Sequence, residues 1–223
     1  MPIELHPAEE ADLPVFYDIL WESGKSNVLA SLMWPDGYPV ESRDWSVDRA
    51  AENMRERPEI MKYMKVIDTD LPADDPLRQT LGIAQWEIHA HDRTDEEVKA
   101  DAERSKALGL PPGANPAFLE EFHGNVGQAQ ARHLGNKAHV YLHLLFTHPD
   151  RFRRGAGSMH LQWGLELADK VRLTDFLCCY VFRANLGSRR SARCSGVPRV
   201  KPDGSRSVRA HGFRVRGIPS SGQ

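Results

Sequence analysis

The sequence predicts a single α/β domain from three observations: an opening strand and helix, an antiparallel strand pair, and an apolar strand that passes through a basic, glycine-containing loop into a helix. Residues 3–6 read as the first strand, after which Leu13, Phe16, Tyr17 and Leu20 recur at helical spacing. A loop holding Trp34-Pro35-Asp36-Gly37 leads to a helix over 47–57. Residues 63–68 and 81–88 follow as the antiparallel pair, with the proline-bounded stretch 72–76 in their connection.

About fifty residues, roughly 89–138, separate this pair from the next strand, too many for an unstructured loop in a compact domain. Two helices are expected there. Thr94 and Glu97 make a capping box for the first, which ends near Gly109; Asn115-Pro116 starts the second, which runs to Leu134 before Gly135. Leu110-Pro111-Pro112-Gly113 joins them.

Residues 140–147 are rich in β-branched, aromatic and leucine side chains and predict a buried strand, which His148-Pro149-Asp150 ends. Residues 151–157 then bring three arginines and two glycines, and Met159, Leu161, Trp163, Leu165, Leu167 and Ala168 take up helical spacing as far as Lys170. The glycines stand where the helix begins. A helix N-terminus has unpaired N–H groups and partial positive charge, so it receives phosphate. Gly155 and Gly157 let the backbone come close and accept positive φ, which turns successive amides into one concavity. Arg153 and Arg154 are expected to add mobile charge at its rim. Neither GxGxxG nor GxxxxGK[ST] occurs, so the loop is not one of those two nucleotide cradles.

Phe152-Arg153-Arg154-Gly155-Ala156-Gly157 resembles the pyrophosphate loop of the GCN5-related N-acetyltransferases, [Q/R]xxGx[G/A], with Phe152 in place of the usual Gln or Arg. The longer string around it, and PPGANPAFLEEF upstream, are similar to fungal members of that family. The resemblance spans roughly residues 3–170. It implies a mixed, mostly antiparallel central sheet with flanking helices and a helical insertion near 89–138, which either helps shape the acceptor pocket or is a structural flap. It implies acetyl-CoA as cosubstrate, its pyrophosphate held by Arg153, Arg154, Gly155, Ala156, Gly157 and Ser158. Its pantetheine would lie along the main chain of Leu145, Phe146 and Thr147, where the family strand splays from its neighbour at a bulge.

Amine acylation by a thioester requires the reactants aligned and the ammonium deprotonated. Strand alternation over 140–147 places Tyr141, His143, Leu145 and Thr147 on one face. The segment Tyr141-Leu142-His143-Leu144-Leu145 resembles the HxHxL strand of serotonin N-acetyltransferase, with Tyr141 in place of the first histidine. His143 is therefore the candidate base and Tyr141 its candidate companion, since an imidazole titrates near neutrality. His139, His143 and His148 lack a nearby carboxylate pattern, so no metal site is expected. The resemblance implies a small-molecule or peptide amine of unassigned class as acceptor.

The formal net charge of −2 conceals a division. Residues 174–223 hold ten Lys/Arg and two Asp, while the first 173 hold nineteen Lys/Arg and twenty-nine Asp/Glu. Residues 1–170 are expected to be the acyltransferase-like domain and 171–223 an atypical basic segment. Within it Ser207 and Val208 occupy the places where the family's late helix has Leu and Tyr. The stretch 171–195 is expected to be an insertion that displaces or removes the fifth strand. These departures leave open a catalytically weak acyl-CoA-binding protein, and the tail arginines leave open nucleic-acid binding. Cys178, Cys179 and Cys194 have no metal-ligand spacing. The N-terminal residues lack a basic region followed by an apolar stretch, and no apolar run approaches a membrane span, so a cytoplasmic location without membrane contact is expected.

Overall fold

The computed structural model describes residues 2–170 and, as backbone, three strands beyond them. In chain order the elements are β1 (Ile3–Pro7), α1 (Leu13–Gly24), α2 (Val28–Met33), α3 (Val40–Glu56), β2 (Met61–Asp68), α4 (Pro76–Gln79) and β3 (Thr80–His89). The insertion contributes α5 (Asp95–Ala107) and α6 (Pro116–His133). β4 (His139–Thr147), α7 (Ala156–Lys170), β5 (Phe176–Cys178), β6 (Arg193–Val200) and β7 (Arg206–Gly212) complete the set.

β1 to β5 form one sheet in sequence order, antiparallel as far as β4, with β5 parallel to β4 over Val140–Leu142. Alternation along the strands divides the core between two faces. Leu13, Phe16 and Ile19 of α1 and Ala50 of α3 pack with Met61, Tyr63, Ile83 and Phe146 on one side. Met64, Ala84, Trp86, Val140, Leu142 and Leu145 face the other side, where Ala168, Leu161, Trp163 and Leu167 of α7 cover them. The antiparallel pair and the mixed sheet agree with the sequence.

The insertion also folds as its local signals require. Thr94 and Glu97 make both bonds of the capping box, and the Asn115 side chain caps α6 by accepting from the Phe118 N–H. α5 buries no residue and α6 buries only Leu119, so these two helices do not belong to the core. Ion pairs attach α5 to it: Arg104 reaches Glu52 and Glu56 of α3, and Asp101 meets Arg57 and Arg93.

Two further expectations change. α3 begins seven residues before the expected helix, and α2 is a helix that the sequence pattern does not announce. The segment 171–195 does not remove the fifth strand, because Phe176–Cys178 lies beside β4. β6 and β7 form a separate antiparallel pair, so the backbone at Ser207 and Val208 is strand and not the helix of the resemblance. The side chains of the arginine-rich tail, and the remainder of that segment, lie outside the described residues.

His160 of α7 is fully buried. Burial drives its pKa from 6.5 down to about 4, partly offset by the Gly82 main chain. The folded state thus refuses a proton that the unfolded chain accepts below about pH 6.5. Stability is unaffected above that pH and falls by up to about 3 kcal/mol as the pH drops to about 4. His160→Met, of similar volume but without a titrating group, should flatten this fall. Thermal melts at about pH 7.5 and about pH 5 check it, and an unchanged pH dependence in the variant would refute the assignment.

Candidate active site

β4 is bulged at His143. Gln85 pairs with Leu144 and Trp86 with Leu142, so His143 is the extra residue between them. The bulge resets the alternation and corrects the expected common face. Tyr141 and His143 face a pocket on the α1 side, joined there by Leu144 and Phe146. Leu145 turns to the opposite face with Trp86 and Leu142, and the Thr147 hydroxyl lies near Gly82 and Gly157. β5 accompanies only Val140–Leu142. Past the bulge, the far edge of β4 therefore has no strand beside it among the described residues. The Ser23 hydroxyl of α1 donates to the Thr147 carbonyl at 2.8 Å and holds the end of that edge.

Sequence reasoning missed the partner of His143. Glu87 of β3 lies 2.6 Å from His143 Nε2 through one oxygen and 2.7 Å from His89 Nε2 through the other. Burial pushes the Glu87 carboxyl up, but hydrogen bonds from His143 and then His89 outweigh it and hold the group well below the usual carboxylate range. It is ionised at neutral pH. An ionised carboxylate only accepts, so both imidazoles present Nε2–H to it, leaving Nδ1 of neutral His143 as the nitrogen able to take a proton. Tyr141 is buried, and its ring stands edge-on to His143 with centroids 4.5 Å apart. The available signal was the alternation Gln85-Trp86-Glu87-Ile88-His89, a strand with polar residues on every second position.

The loop before α7 has the geometry of an anion cradle. Arg153 has φ 66° and Gly155 φ 92°, and the first bond of the helix runs from Met159 N–H to the Gly155 carbonyl. The N–H groups of the first turn therefore have no carbonyl one turn before them. A Cβ at Gly157 would meet only the Thr147 hydroxyl, at 3.8 Å, so the space before the helix is open. These residues fit a pyrophosphate. Arg153 is exposed at the rim, whereas Arg154 departs from expectation: its guanidinium lies 2.6 Å from Asp68, with side chains 15% and 5% exposed. It is a buried tether from the loop to the end of β2, because Asp68 has no other cation within ion-pair distance among the described residues. The pairing holds Asp68 below the usual carboxylate range.

The pocket beside Glu87 and His143 has a volume of about 860 Å³ and is walled by α1, α2, β4 and both inserted helices. Glu87, His89 and Asp101 present potential metal-ligand atoms within 4.8 Å of one another. Arg57 and Arg93, 2.9 and 3.4 Å from Asp101, already bring two guanidinium charges to that carboxylate. His139 stacks obliquely near His89, with ring centroids 5.0 Å apart, and His148 lies beyond the end of β4.

A sheet antiparallel as far as β4, opened by a bulge in that strand and followed by a phosphate-type helix start, is the fold of the GCN5-related N-acetyltransferases. The chain is similar in structure to the Drosophila melanogaster polyamine N-acetyltransferase, which catalyses formation of N-acetylagmatine, with TM-score 0.52 and 11% identity over 81% of this chain and 78% of that one. It is similar also to mosquito arylalkylamine N-acetyltransferase-like 5b, with TM-score 0.51 and 14% identity over 79% and 76% of the two chains. No protein-family model matches the sequence, and no curated protein matches it. No described helix is long and apolar enough to cross a membrane.

Proposed function

We propose that this chain is an acetyl-CoA-dependent N-acetyltransferase acting on a primary amine by direct attack. The observation that carries the reading is the Glu87–His143 pair, set at the bulge of β4 in the wall of a large pocket. When bound, acetyl-CoA supplies an acetyl thioester whose carbonyl carbon bonds to the amine nitrogen as the C–S bond breaks, the departing thiolate taking up the second proton that the nitrogen sheds on becoming an amide.

The residues divide the remaining work. Arg153 and the first-turn amides of Gly155, Ala156, Gly157 and Ser158 hold the pyrophosphate, with Arg154 contributing main chain while its side chain anchors the loop. The main chain of Leu145, Phe146 and Thr147 runs along the pantetheine. His143 takes the ammonium proton on Nδ1, Glu87 keeps the imidazole in the required tautomer, and Tyr141 fixes its ring edge-on.

Calorimetry with acetyl-CoA, together with thiol release in the presence of amines, tests the reading. The unaltered protein should bind and release thiol. Gly157→Asp puts a negative side chain into the space before the helix and should weaken acetyl-CoA binding by about 100-fold or more, with the melting temperature nearly unchanged. Equal binding by the variant would remove the cradle from the proposal.

A further inference from the structure

We infer that the acceptor is a monoamine carried on an apolar, flat body, and that the charge balance of the pocket disfavours polyamines and amino acids. The inference rests on the acetyltransferase reading and assigns the acceptor class of the same site.

Among the described residues lining the pocket, the carboxylates are Glu87 and Asp101. Asp101 is engaged by Arg57 and Arg93. Glu87 meets only imidazoles among the described ionisable groups, those of His143 and His89, so its negative charge is available to one ammonium group. That charge draws the ammonium toward the imidazole whose other nitrogen, Nδ1, is proposed to deprotonate it.

The cations of the pocket are equally committed. Arg49 lies 3.1 Å from Glu52, and Arg104 lies 3.2 Å from Glu52 and 2.5 Å from Glu56. Every described arginine in the lining already has a carboxylate, so a carboxylate on the acceptor would have to share a guanidinium whose charge is already balanced. A second ammonium would find no free anion among the described residues either. Its alternative is the wall made by α1, α2 and β4, where Trp21, Leu29, Met33, Trp34, Leu144 and Phe146 present apolar surface. Placing an unpaired charge there is unfavourable.

That wall suits a planar apolar group. Trp21 stacks on Tyr38, with centroids 4.9 Å apart and planes at 21°, and Trp34 meets Tyr38 edge-on at 4.9 Å. Trp34 is fixed further by donating to the Ser42 hydroxyl at 3.1 Å. The aromatic side chains are held in place before a ligand arrives, so little ordering is required on binding. A volume of about 860 Å³ accommodates an aromatic amine beside the thioester end of the coenzyme.

The test is thiol release at saturating acetyl-CoA with three amines: tryptamine; tryptophan, which adds one carboxylate to the same body; and spermidine, which replaces the body by further cations. Tryptamine should exceed the other two in kcat/KM by roughly 100-fold. Trp21→Ala should raise KM for tryptamine by about tenfold with kcat little changed, as expected when binding shared by ground and transition states is removed. Turnover of spermidine or tryptophan at a rate equal to that of tryptamine overturns the acceptor class and leaves the acetyltransferase reading intact. Acetyl-CoA binding without thiol release for any of the three, or for a wider amine panel, overturns both.

Discussion

Glu87→Gln should lower kcat by on the order of 100-fold while leaving acetyl-CoA affinity unchanged. The native carboxylate accepts from two imidazoles at once, one oxygen to each. An amide offers one acceptor and one donor, so one of the two histidines must turn its Nε2 into an acceptor and carry its proton on Nδ1. If that histidine is His143, its only basic nitrogen points at the new amide and not at the substrate. The negative charge proposed to draw the ammonium inward is lost as well. His89→Gln makes the control, since a neutral side-chain donor to Glu87 is retained and kcat should fall by only a few-fold. Single-turnover rates and calorimetry separate the chemical step from coenzyme binding. Retention of more than about half the native kcat by Glu87→Gln would refute the assigned role.

Gly164→Ala should destabilise the protein by about 2–4 kcal/mol, an inversion of the usual helix preference. At an ordinary interior helical site the same change stabilises by up to about 1 kcal/mol. Here a Cβ would stand 2.6 and 2.9 Å from two ring carbons of Trp86 and closer still to a third, on a side chain with no solvent exposure at the centre of β3. Trp163 packs against the same indole, with centroids 5.6 Å apart, so the ring has nowhere to retreat without moving α7. The melting temperature should fall by about 10 °C for a chain of this size. Because the N-terminus of α7 is the proposed pyrophosphate cradle, acetyl-CoA affinity should weaken in the same variant. A variant as stable as the native protein would show that this glycine is not a packing requirement.

Much of the fold is legible because its signals are local. The capping box of α5, the Asn115-Pro116 start of α6 and the glycine-arginine entry to α7 each act within a few residues of the chain, and the structure reproduces all three. Helical spacing likewise locates α1, and the apolar strand over 140–147 is β4. The early start of α3 is hidden, since Val40 is exposed and the first two turns bury only Ser42. α2 is a single short helix whose residues are all at least partly exposed, so no periodic apolar stripe announces it.

The site is less legible for a reason that lies in strand register. Alternation at period two assigns faces correctly only while one residue opposes one residue, and the bulge at His143 inserts an extra one. Simple alternation therefore puts Leu145 on the wrong face, although it places Tyr141 and His143 together. Beyond the polar alternation of its strand, Glu87 gives no sequence signal of its role, because its importance comes from lying opposite a residue 56 positions away. Arg154 looks free in the sequence because its partner, Asp68, sits at the end of a different strand.

By itself, then, the sequence determined the order and type of most elements, the glycine-arginine entry to α7 and the histidine on β4. These follow from backbone preferences and periodicity, which a short window of residues expresses without its neighbours. Only the tertiary structure decided that Glu87 joins His143 and His89, that Arg154 ties the loop to β2, and that Gly164 makes room for Trp86. Each of these depends on which distant residues the sheet register and helix packing bring within a few ångströms, and no local rule encodes that distance.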